Sequence, residues 1–470
     1  MERLAGQAAD RVTQARHVDI FSHIDPDGIT SGTIASQALE RQGIEHEIHF
    51  LKNLSSGTVK EIKDRNPEMV WFTDLGSGLS HRLTDLRGVI TDHHLPSEVV
   101  VPEDQRKDLL AYTTPDLVHV NPHLVGIDGT SALSSSGAAY LVARAMDRGN
   151  RDLSALGVVG AVGDLQDRAE GHLVGTNREV VHDGVAAGVL QVIRDLRLFG
   201  RETRPVFRLL QYATDPPLPH LTEDQEACIV FFLELGVALK GEAGWRRWID
   251  LEAEEKQRVV SELVTSLLQK GYGHAQARRL LGEVYLLPRE EEGSPLHDAK
   301  EFATLLNACG RYDKAEVGYG VCRGDREEAY RRALNLLKEH RGHIVTSLDV
   351  VDEVGVESLT HIQWFHGGDR IKDTVVGIAA GMVLGSGDMK PDMPLFAFAD
   401  AEDGVKVSAR APRNLLGRGL NLAIVLRKAA AKVGGEGGGH SVAAGATIPR
   451  GTEDEFLRIA DELVRLQLQS

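Results

Sequence analysis

The first half of the chain alternates short apolar runs with stretches of helical pattern, and this alternation limits the folds it can adopt. The runs predict strands over HVDIFS (17–22), EIHFL (47–51), MVWFTD (69–74) and GVITD (88–92). Strands separated by helices form a parallel sheet covered on both faces. Three of the four strands run directly into Asp or His, and ligands of such sheets bind outside the carboxyl ends of the strands. The sequence therefore predicts an α/β domain with a polar site at that edge.

Later segments extend this pattern and divide the chain. Helical pattern covers 130–147 and 177–212, and an apolar segment, LGVVGAVGD, ends at Asp164. The Pro cluster DPPLP marks a boundary, after which residues 220–282 predict mostly helix. A last mixed region has predicted strands at VVGIAAGMV and LFAFAD and a closing helix near the C-terminus. We predict three parts: a catalytic domain over 1–215, a helical insert with a connecting helix over 216–343, and a smaller mixed α/β domain over 344–470.

Composition favours a soluble protein of a reducing compartment. No apolar run approaches the roughly 18–20 residues of a membrane helix, and the N-terminus lacks a signal-peptide pattern. The three cysteines have no C-x-x-C spacing, which argues against a thiolate zinc cage and a disulfide framework. We therefore expect a cytoplasmic protein with no membrane partner. The net charge of −16 argues against binding nucleic acid by bulk attraction and leaves local basic surfaces open.

The candidate site combines carboxylates with imidazoles. Its members are His23, Asp25, Asp27, Asp74, Asp92, His93, His94 and Asp164. These hard ligands suit Mn²⁺ or Mg²⁺, and strand-like alternation would put the first three on one side of an extended segment. Singly, each has an ordinary explanation, because Asp-Pro-Asp-Gly is a common turn and a lone Asp often caps a helix. Together they predict a centre for two divalent ions about 3.5–4 Å apart, which could activate water and neutralise a phosphodiester's charge.

These segments resemble the motifs of one family. TDHHLP (91–96) resembles the signature of the DHH phosphoesterase superfamily, and SHIDPDGITSG, FTDLGSG and AVGDLQD resemble its first, second and fourth motifs. EGGGHSVAAGA (436–446) is similar to the GGGH motif of the DHHA1 domain. Segments 177–207 and 291–311 resemble the archaeal RecJ-like exonucleases, which include relatives that associate with the GINS replication complex or a repair helicase. The resemblance implies a doubly wound DHH domain, a DHHA1 domain, and an active-site cleft between them.

The resemblance also implies a role for each polar position. His23 and Asp25 would hold one ion, and Asp27, His93 and Asp164 the other. Asp74 would bridge the two ions, His94 would face the scissile phosphate, and Asp92 would orient the histidine pair. Bacterial RecJ typically carries Asp where this chain has His23. Since histidine occurs there elsewhere in the superfamily, the ligand role is kept, with Mn²⁺ favoured and Mg²⁺ as the alternative.

The C-terminal region is expected to hold the substrate. A loop of Gly437, Gly438 and Gly439 would let backbone N–H groups approach a phosphate, with His440 beside it. The stretch 406–432 contains seven Lys or Arg residues and no acid, a basic stripe suited to phosphates. VSARAP resembles the family's substrate-binding arginine segment, which points to Arg410. For the later basic residues of the stripe, a solvated helix face is the alternative.

The leading interpretation is a two-metal exonuclease of DNA repair or replication that degrades single-stranded DNA to mononucleotides, with RNA as a further candidate substrate. One alternative is a phosphodiesterase for oligonucleotides or cyclic dinucleotides, which the helical insert argues against mildly. The other is a replisome scaffold like CDC45, whose active centre is decayed, whereas this sequence keeps every expected ligand position. A GINS or repair-helicase partner is expected by resemblance, and the cleavage polarity is not predicted.

Overall fold

The chain folds into two compact units, Met1–Leu337 and Lys338–Ser470. The structure, a computed structural model, describes residues 1–96, 116–213, 216–242, 244–271, 273, 279–385 and 389–469. The boundary predicted at residue 215 lies outside the described residues, and the three-part division stays a prediction. Among the described helices, none is both long and apolar enough to cross a membrane.

Strands and helices alternate through the first unit. Its strands are β1 His17–His23, β2 Glu45–Leu51, β3 Val70–Thr73, β4 Gly88–Thr91, β5 Leu117–Val120, β6 Gln191–Leu196, β7 Lys240–Gly241, β8 Gly244–Trp245 and β9 Leu281–Leu286. Its α-helices are α1 Glu2–Val12, α2 Pro26–Arg41, α3 Ser56–Asp64, α4 Ser135–Met146, α5 Ser154–Gly163, α6 Asn177–Ala186, α7 Val206–Gln211, α8 Gln225–Glu234, α9 Ala253–Gln269, α10 Ala299–Arg311 and α11 Ala315–Cys322. Helix α12, Glu328–Val354, spans the division between the units.

A five-stranded parallel sheet forms the centre of the first unit, in the order β2-β1-β3-β4-β5. Ser22 of β1 lies beside Thr73 of β3, which in turn lies beside Thr91 of β4. The chain therefore leaves these three strands at one edge, and the polar residues that follow them are brought together there. The four predicted strands are present, and β5 is a fifth that the sequence reading did not include.

Both faces of the sheet are buried along β3, β4 and β5, as their apolar sequences require, whereas the edge strand β2 is partly exposed. Ile20 and Trp71 pack on one face against a cluster that includes α2, α4 and α5. Phe21 and Phe72 pack on the other face with apolar residues of α3. Helix α5 is apolar almost all round and is nearly completely buried, as expected for a helix within a core. The sheet edge is thus positioned by packing on both sides.

Two local predictions in this unit need correction. The segment after β1 is not extended, because α2 begins at Pro26 and the Asp25 side chain caps it by accepting a hydrogen bond from the Gly28 N–H at 2.9 Å. Residues 177–212 are not wholly helical, because β6 lies between α6 and α7 and pairs with β9, almost ninety residues later in the chain. A partner so distant in sequence leaves no local periodicity to detect.

The second unit is built on a six-stranded mixed sheet in the order β10-β11-β12-β13-β15-β14. Its strands are β10 Glu357–Ser358, β11 Gln363–His366, β12 Leu395–Ala401, β13 Gly404–Arg410, β14 Glu436–Gly439 and β15 Ala443–Ile448. Its helices are α13 Val376–Gly385, α14 Arg413–Leu416, α15 Leu422–Lys432 and α16 Glu453–Gln469. Alternation along β12 directs Phe396 and Phe398 to the α15–α16 side and Leu395 and Ala397 to the α13 side.

VVGIAAGMV, predicted as a strand, forms helix α13 instead. A short apolar run does not by itself distinguish a buried strand from a buried helix. Here small residues such as Ala379 and Ala380 let the helix lie against β12 and β13. The predicted fold class is confirmed: a parallel α/β sheet in the N-terminal part, a helical region, and a mixed α/β sheet in the C-terminal part.

Candidate metal centre

The first group of candidate ligands lies where β1 ends. His23 Nδ1 is 3.1 Å from Asp25 Oδ2 and 3.2 Å from Asp74 Oδ2. Burial lowers the pKa of His23, but the two carboxylates outweigh it and hold this pKa well above its ordinary value. Burial raises the pKa of Asp25, yet His23 and the Gly28 N–H hold it below its usual range. The carboxylates of Asp25 and Asp74 therefore stabilise a positive charge on or beside the His23 ring.

The second group consists of Asp27, His93 and Asp164, whose ligand atoms all lie within 4.8 Å of one another. Asp27 is in the first turn of α2 and accepts hydrogen bonds from the N–H groups of Ser135 and Ser136 at 2.8 and 3.0 Å, so the N-terminus of α4 fixes it. His93 Nε2 lies 3.5 Å from Asp164 Oδ2.

The Gly129 carbonyl orients His93. It lies 2.7 Å from His93 Nδ1 and also accepts a hydrogen bond from Gln166 Nε2 at 3.0 Å. A proton on Nδ1 that donates to this carbonyl leaves Nε2 as the acceptor nitrogen on the Asp164 side of the ring. Burial lowers the pKa of His93, but Asp164, Asp27 and Asp74 together raise it to about 9.

Asp74 connects the groups. Its Oδ2 lies beside His23, whereas its Oδ1 lies 3.7 Å from His93 Nε2, 3.8 Å from His94 Nδ1, and accepts a hydrogen bond from Ser135 Oγ at 2.8 Å. The residue adopts a left-handed backbone with φ of 59°, which is uncommon for a residue with a side chain. The two oxygens of one buried carboxylate are thus directed into two different ligand groups.

Asp92 orients only one of the two histidines. Its Oδ1 lies 2.8 Å from His94 Nδ1 and accepts the His94 N–H at 3.1 Å, while its Oδ2 accepts the Ser77 N–H at 2.9 Å. The prediction that Asp92 orients both rings is corrected in this respect, because Gly129 holds His93. The His94 side chain is 44% exposed, which makes it the accessible imidazole of the site. Burial lowers its pKa, but Asp92 and Asp74 raise it to about 10.

The donor set fits hard divalent cations. Carboxylate oxygens and imidazole nitrogens converge in three overlapping groups, and no sulfur is among them. Burial and the nearby carboxylates of Asp25 and Asp27 raise the pKa of Asp74 to about 8, and burial raises the pKa of Asp164 to about 6. These raised values mean that negative charge is in excess at the site, which bound cations would balance.

Several residues that support the site were not recognised from the sequence. Ser135, Gly129 and Gln166 hold the candidate ligands, and Asn177 holds Gln166 through a hydrogen bond of 2.7 Å. The run of serines before the Ala-rich helix could have indicated where that helix begins, because serines are typical at the start of a helix. The roles of Gly129 and Asn177 depend on tertiary contacts and had no local signal.

The predicted substrate-binding residues lie together in the second unit. Arg410 ends β13 beside Ala443 of β15, and the N–H of His440 donates to the Ala443 carbonyl at 2.8 Å. The three glycines do not form a loop, because Gly437, Gly438 and Gly439 belong to the edge strand β14 and pair with β15. This pairing places Arg410 and His440 at the same end of the sheet.

Two of these glycines stand where a residue with a side chain would be strained, one because the neighbouring backbone is too close and one because of its backbone conformation. A Cβ atom on Gly437 would lie 2.7 Å from the Leu426 carbonyl oxygen, and Gly439 adopts a φ of 130°. At Gly438 a Cβ atom would meet nothing within 4 Å. The middle glycine is therefore the one whose missing side chain leaves the strand surface accessible.

Two segments of the chain match known domain families. Residues 198–281 match the DHH-CID domain, and residues 356–466 match the DHHA1 domain. An uncharacterized protein of Methanocaldococcus jannaschii is 27% identical over 458 residues, which is 96% of this chain and 94% of that protein.

Solved structures share the fold at low sequence identity. RecJ of Thermus thermophilus, in complex with Mn²⁺, aligns over 99% of this chain with 16% identity and a TM-score of 0.59. This chain covers 54% of that RecJ chain, so it spans about half of its length. CDC45 from Entamoeba histolytica aligns over 99% of this chain and 98% of its own, with 13% identity and a TM-score of 0.66.

Fold and site together define a two-unit α/β protein with a polar, metal-compatible centre at the carboxyl edge of its parallel sheet. Residues 198–281 and 356–466 are similar to the DHH-CID and DHHA1 domains, and the chain shares its fold with the solved RecJ and CDC45 structures.

Proposed function

We propose that this chain is a metal-dependent phosphodiesterase of the archaeal RecJ-like type that removes mononucleotides from the end of single-stranded nucleic acid. The observation that carries the proposal is the Asp74 carboxylate, whose two oxygens point into two separate groups of ligand atoms. Such an arrangement suits a pair of cations that share one carboxylate.

Two divalent ions, Mn²⁺ or Mg²⁺, would be held by His23 with Asp25 and by Asp27 with His93 and Asp164. Asp74 would contact both. When bound, the ions would supply Lewis-acid stabilisation of a phosphate and a water of lowered pKa.

His94 would act on the phosphate itself. Asp92 holds a proton on His94 Nδ1, which directs the opposite nitrogen, Nε2, away from Asp92. An imidazolium kept charged in this way would donate a hydrogen bond to a phosphate oxygen, where negative charge increases in the transition state. The partial exposure of the His94 ring permits such an approach.

Arg410, the backbone of Gly437, Gly438 and Gly439, and His440 would bind phosphates of the substrate strand. Their placement at one end of a single sheet supports this role, because a phosphate there could meet a guanidinium and an imidazole together. Single-stranded DNA is the proposed substrate, with RNA as a second candidate. A role in DNA repair or replication in the cytoplasm, with GINS or a repair helicase as a partner, is proposed from the sequence resemblance to the archaeal RecJ-like exonucleases.

A replisome scaffold is the second candidate function, because CDC45 shares the fold over nearly the full length of both chains. The completeness of the candidate metal centre favours the enzyme. A phosphodiesterase for oligonucleotides or cyclic dinucleotides would use the same centre, and the assay below separates it from the exonuclease.

The test uses single-stranded DNA labelled separately at each end, with Mn²⁺, Mg²⁺ or chelator. We expect metal-dependent release of mononucleotides from one end, and loss of this release in Asp74→Ala and His94→Ala. His182→Ala, which changes an exposed histidine of α6, is the control and should retain activity. Rapid hydrolysis of two-to-five-nucleotide RNA or cyclic dinucleotides without degradation of long DNA would select the small-substrate alternative. Bound metal without hydrolysis of any substrate would select the scaffold.

A further inference from the structure

A second group of candidate ligands lies along β1 and β2, away from the centre described above. Asp19 and Glu47 are register partners in these parallel strands, and His17 and His49 lie two residues from them on the same strand faces. Ligand atoms of Asp19, Glu47 and His49 lie within 4.8 Å of one another. Four residues of strand, about 13 Å, separate Asp19 from His23. The group is therefore distinct from the candidate metal centre.

The separations within this group are unusual for hydrogen bonds. His17 Nε2 to Asp19 Oδ1, His49 Nε2 to Asp19 Oδ1, and His49 Nε2 to Glu47 Oε2 are each 3.6 Å. This is longer than an ordinary N–H···O bond. Ligand atoms about 2.0–2.2 Å from a tetrahedral zinc ion are roughly 3.3–3.6 Å apart. The three observed separations therefore match three of the six edges of a zinc coordination tetrahedron, and two of these edges share Asp19 Oδ1.

His49 provides the second observation. Its Nε2 atom is buried, and it makes no hydrogen bond within the described part of the chain. The ring is stacked on Phe21 with centroids 5.0 Å apart and an interplanar angle of 20°, so packing holds Nε2 in this direction. Buried side-chain nitrogens normally have a partner. A cation between Nε2 and the two carboxylates would provide one.

We propose that Asp19, Glu47 and His49 form a zinc site that joins β2, an edge strand of the parallel sheet, to β1, with His17, which lies beside Asp19, approaching the ion as the fourth ligand. Two imidazoles and two carboxylates suit Zn²⁺, and four protein ligands complete a tetrahedral, structural site. Glu47 is 67% exposed, so the ion reaches the site from solvent. The site cross-links two adjacent strands and does not depend on the proposed hydrolytic function.

The test measures Zn²⁺ bound to the full chain after chelator treatment and equilibrium dialysis against free Zn²⁺. The wild-type chain is expected to bind one more equivalent than His49→Gln or His17→Gln. His182→Gln, which changes a surface histidine elsewhere, should match the wild type. Substitution with Co²⁺ should produce the intense visible bands of tetrahedral cobalt, and these bands should be lost in His49→Gln and kept in Asp74→Ala.

Circular dichroism and the remaining bound equivalents show whether each variant is folded. His17 is 40% exposed, so its replacement leaves the buried part of the sheet intact and serves if His49→Gln does not fold. Equal zinc stoichiometry in the wild type and in a folded His17→Gln or His49→Gln variant would overturn the proposal. So would tetrahedral cobalt bands that survive in either variant.

Discussion

A Cβ atom on Gly160 would lie 2.6 Å from Oδ1 of Asp27, so α5 can lie against the candidate ligand only because residue 160 has no side chain. The same atom would meet Ser136 Oγ at 2.2 Å and Thr30 Oγ1 at 2.4 Å. Asp27 accepts hydrogen bonds from the first turn of α4, so three helices converge on one carboxylate. The position of a candidate metal ligand is thus set by helix packing and not by the loop that precedes it.

Gly160→Ala is expected to displace Asp27, which should weaken Mn²⁺ binding and lower the free energy of unfolding by about 1–3 kcal/mol, the usual cost of overpacking. Gly6→Ala is the matched control, because a Cβ atom there would meet nothing within 4 Å and α1 should gain about 0.5–1 kcal/mol. Metal titration and urea unfolding of both variants measure these effects. Unchanged metal affinity in Gly160→Ala would contradict the packing argument.

Asp92→Asn is expected to lower kcat by about 10- to 100-fold while metal affinity is little changed, because Asp92 holds the His94 ring and is proposed to touch no ion. Steady-state rates on labelled single-stranded DNA and a Mn²⁺ titration separate the two effects. In a double-mutant cycle, adding Asp92→Asn to His94→Ala should cause little further loss. Independent, additive losses would show that Asp92 acts through another group.

Glu301 should make stability depend on pH. Burial and the neighbouring Asp298 raise its pKa to about 7, although it accepts hydrogen bonds from the Thr203 hydroxyl and the Glu202 N–H. In the unfolded chain Glu301 has its ordinary pKa of 4.5. Between pH 4.5 and about 7 the side chain is therefore protonated in the folded state and ionised in the unfolded chain. Stability from this group is fully present below pH 4.5 and is lost as the pH rises to about 7.

Glu301→Gln should remove this dependence. Its unfolding free energy relative to the wild type should rise by about 1.4 kcal/mol per pH unit between the two pKa values and be constant above pH 7. The amide can still accept from the Glu202 N–H and donate to the Thr203 oxygen. Urea unfolding at several pH values measures the difference, and a difference that is the same at pH 5 and pH 8 would refute the assignment.

Arg197→Met should lower the free energy of unfolding by about 3–5 kcal/mol, because it leaves the Asp167 carboxylate buried without its partner. The side chains of this ion pair are 6% and 7% exposed, and Arg197 also donates to the Asp167 carbonyl at 3.0 Å. Replacing both residues with Met and Leu should cost less than Arg197→Met alone. Arg465→Ala, which breaks an exposed pair on α16, should leave the urea midpoint unchanged.

Much of the candidate site was predictable because it follows strand ends. His23, Asp74 and Asp92 each come directly after an apolar run, and a parallel sheet brings such positions to one edge. The errors occurred where local pattern is ambiguous. VVGIAAGMV is apolar at nearly every position, so its periodicity fits a helix and a strand alike.

In the second unit the run of three glycines is another local pattern that fits more than one structure. Three consecutive glycines indicate a close approach but not its nature, and here they form an edge strand beside β15. Glycine weakens the interior of a strand, but here the pairing with β15 keeps these three residues in the sheet. Which group holds each of the two histidines, Asp92 or the Gly129 carbonyl, is likewise a matter of tertiary contact.

The sequence by itself determined four strands of the parallel sheet, the class of fold and which residue types gather at the sheet edge, because these follow from hydrophobic periodicity and from residues adjacent to strand ends. Only the tertiary structure decided how those residues are grouped. Asp27 lies in the first turn of α2 and not in the expected extended segment. The two side-chain oxygens of Asp74 face two different groups of ligand atoms. Grouping depends on which distant helices and carbonyls pack against each carboxylate, and such contacts leave no periodic signal along the chain.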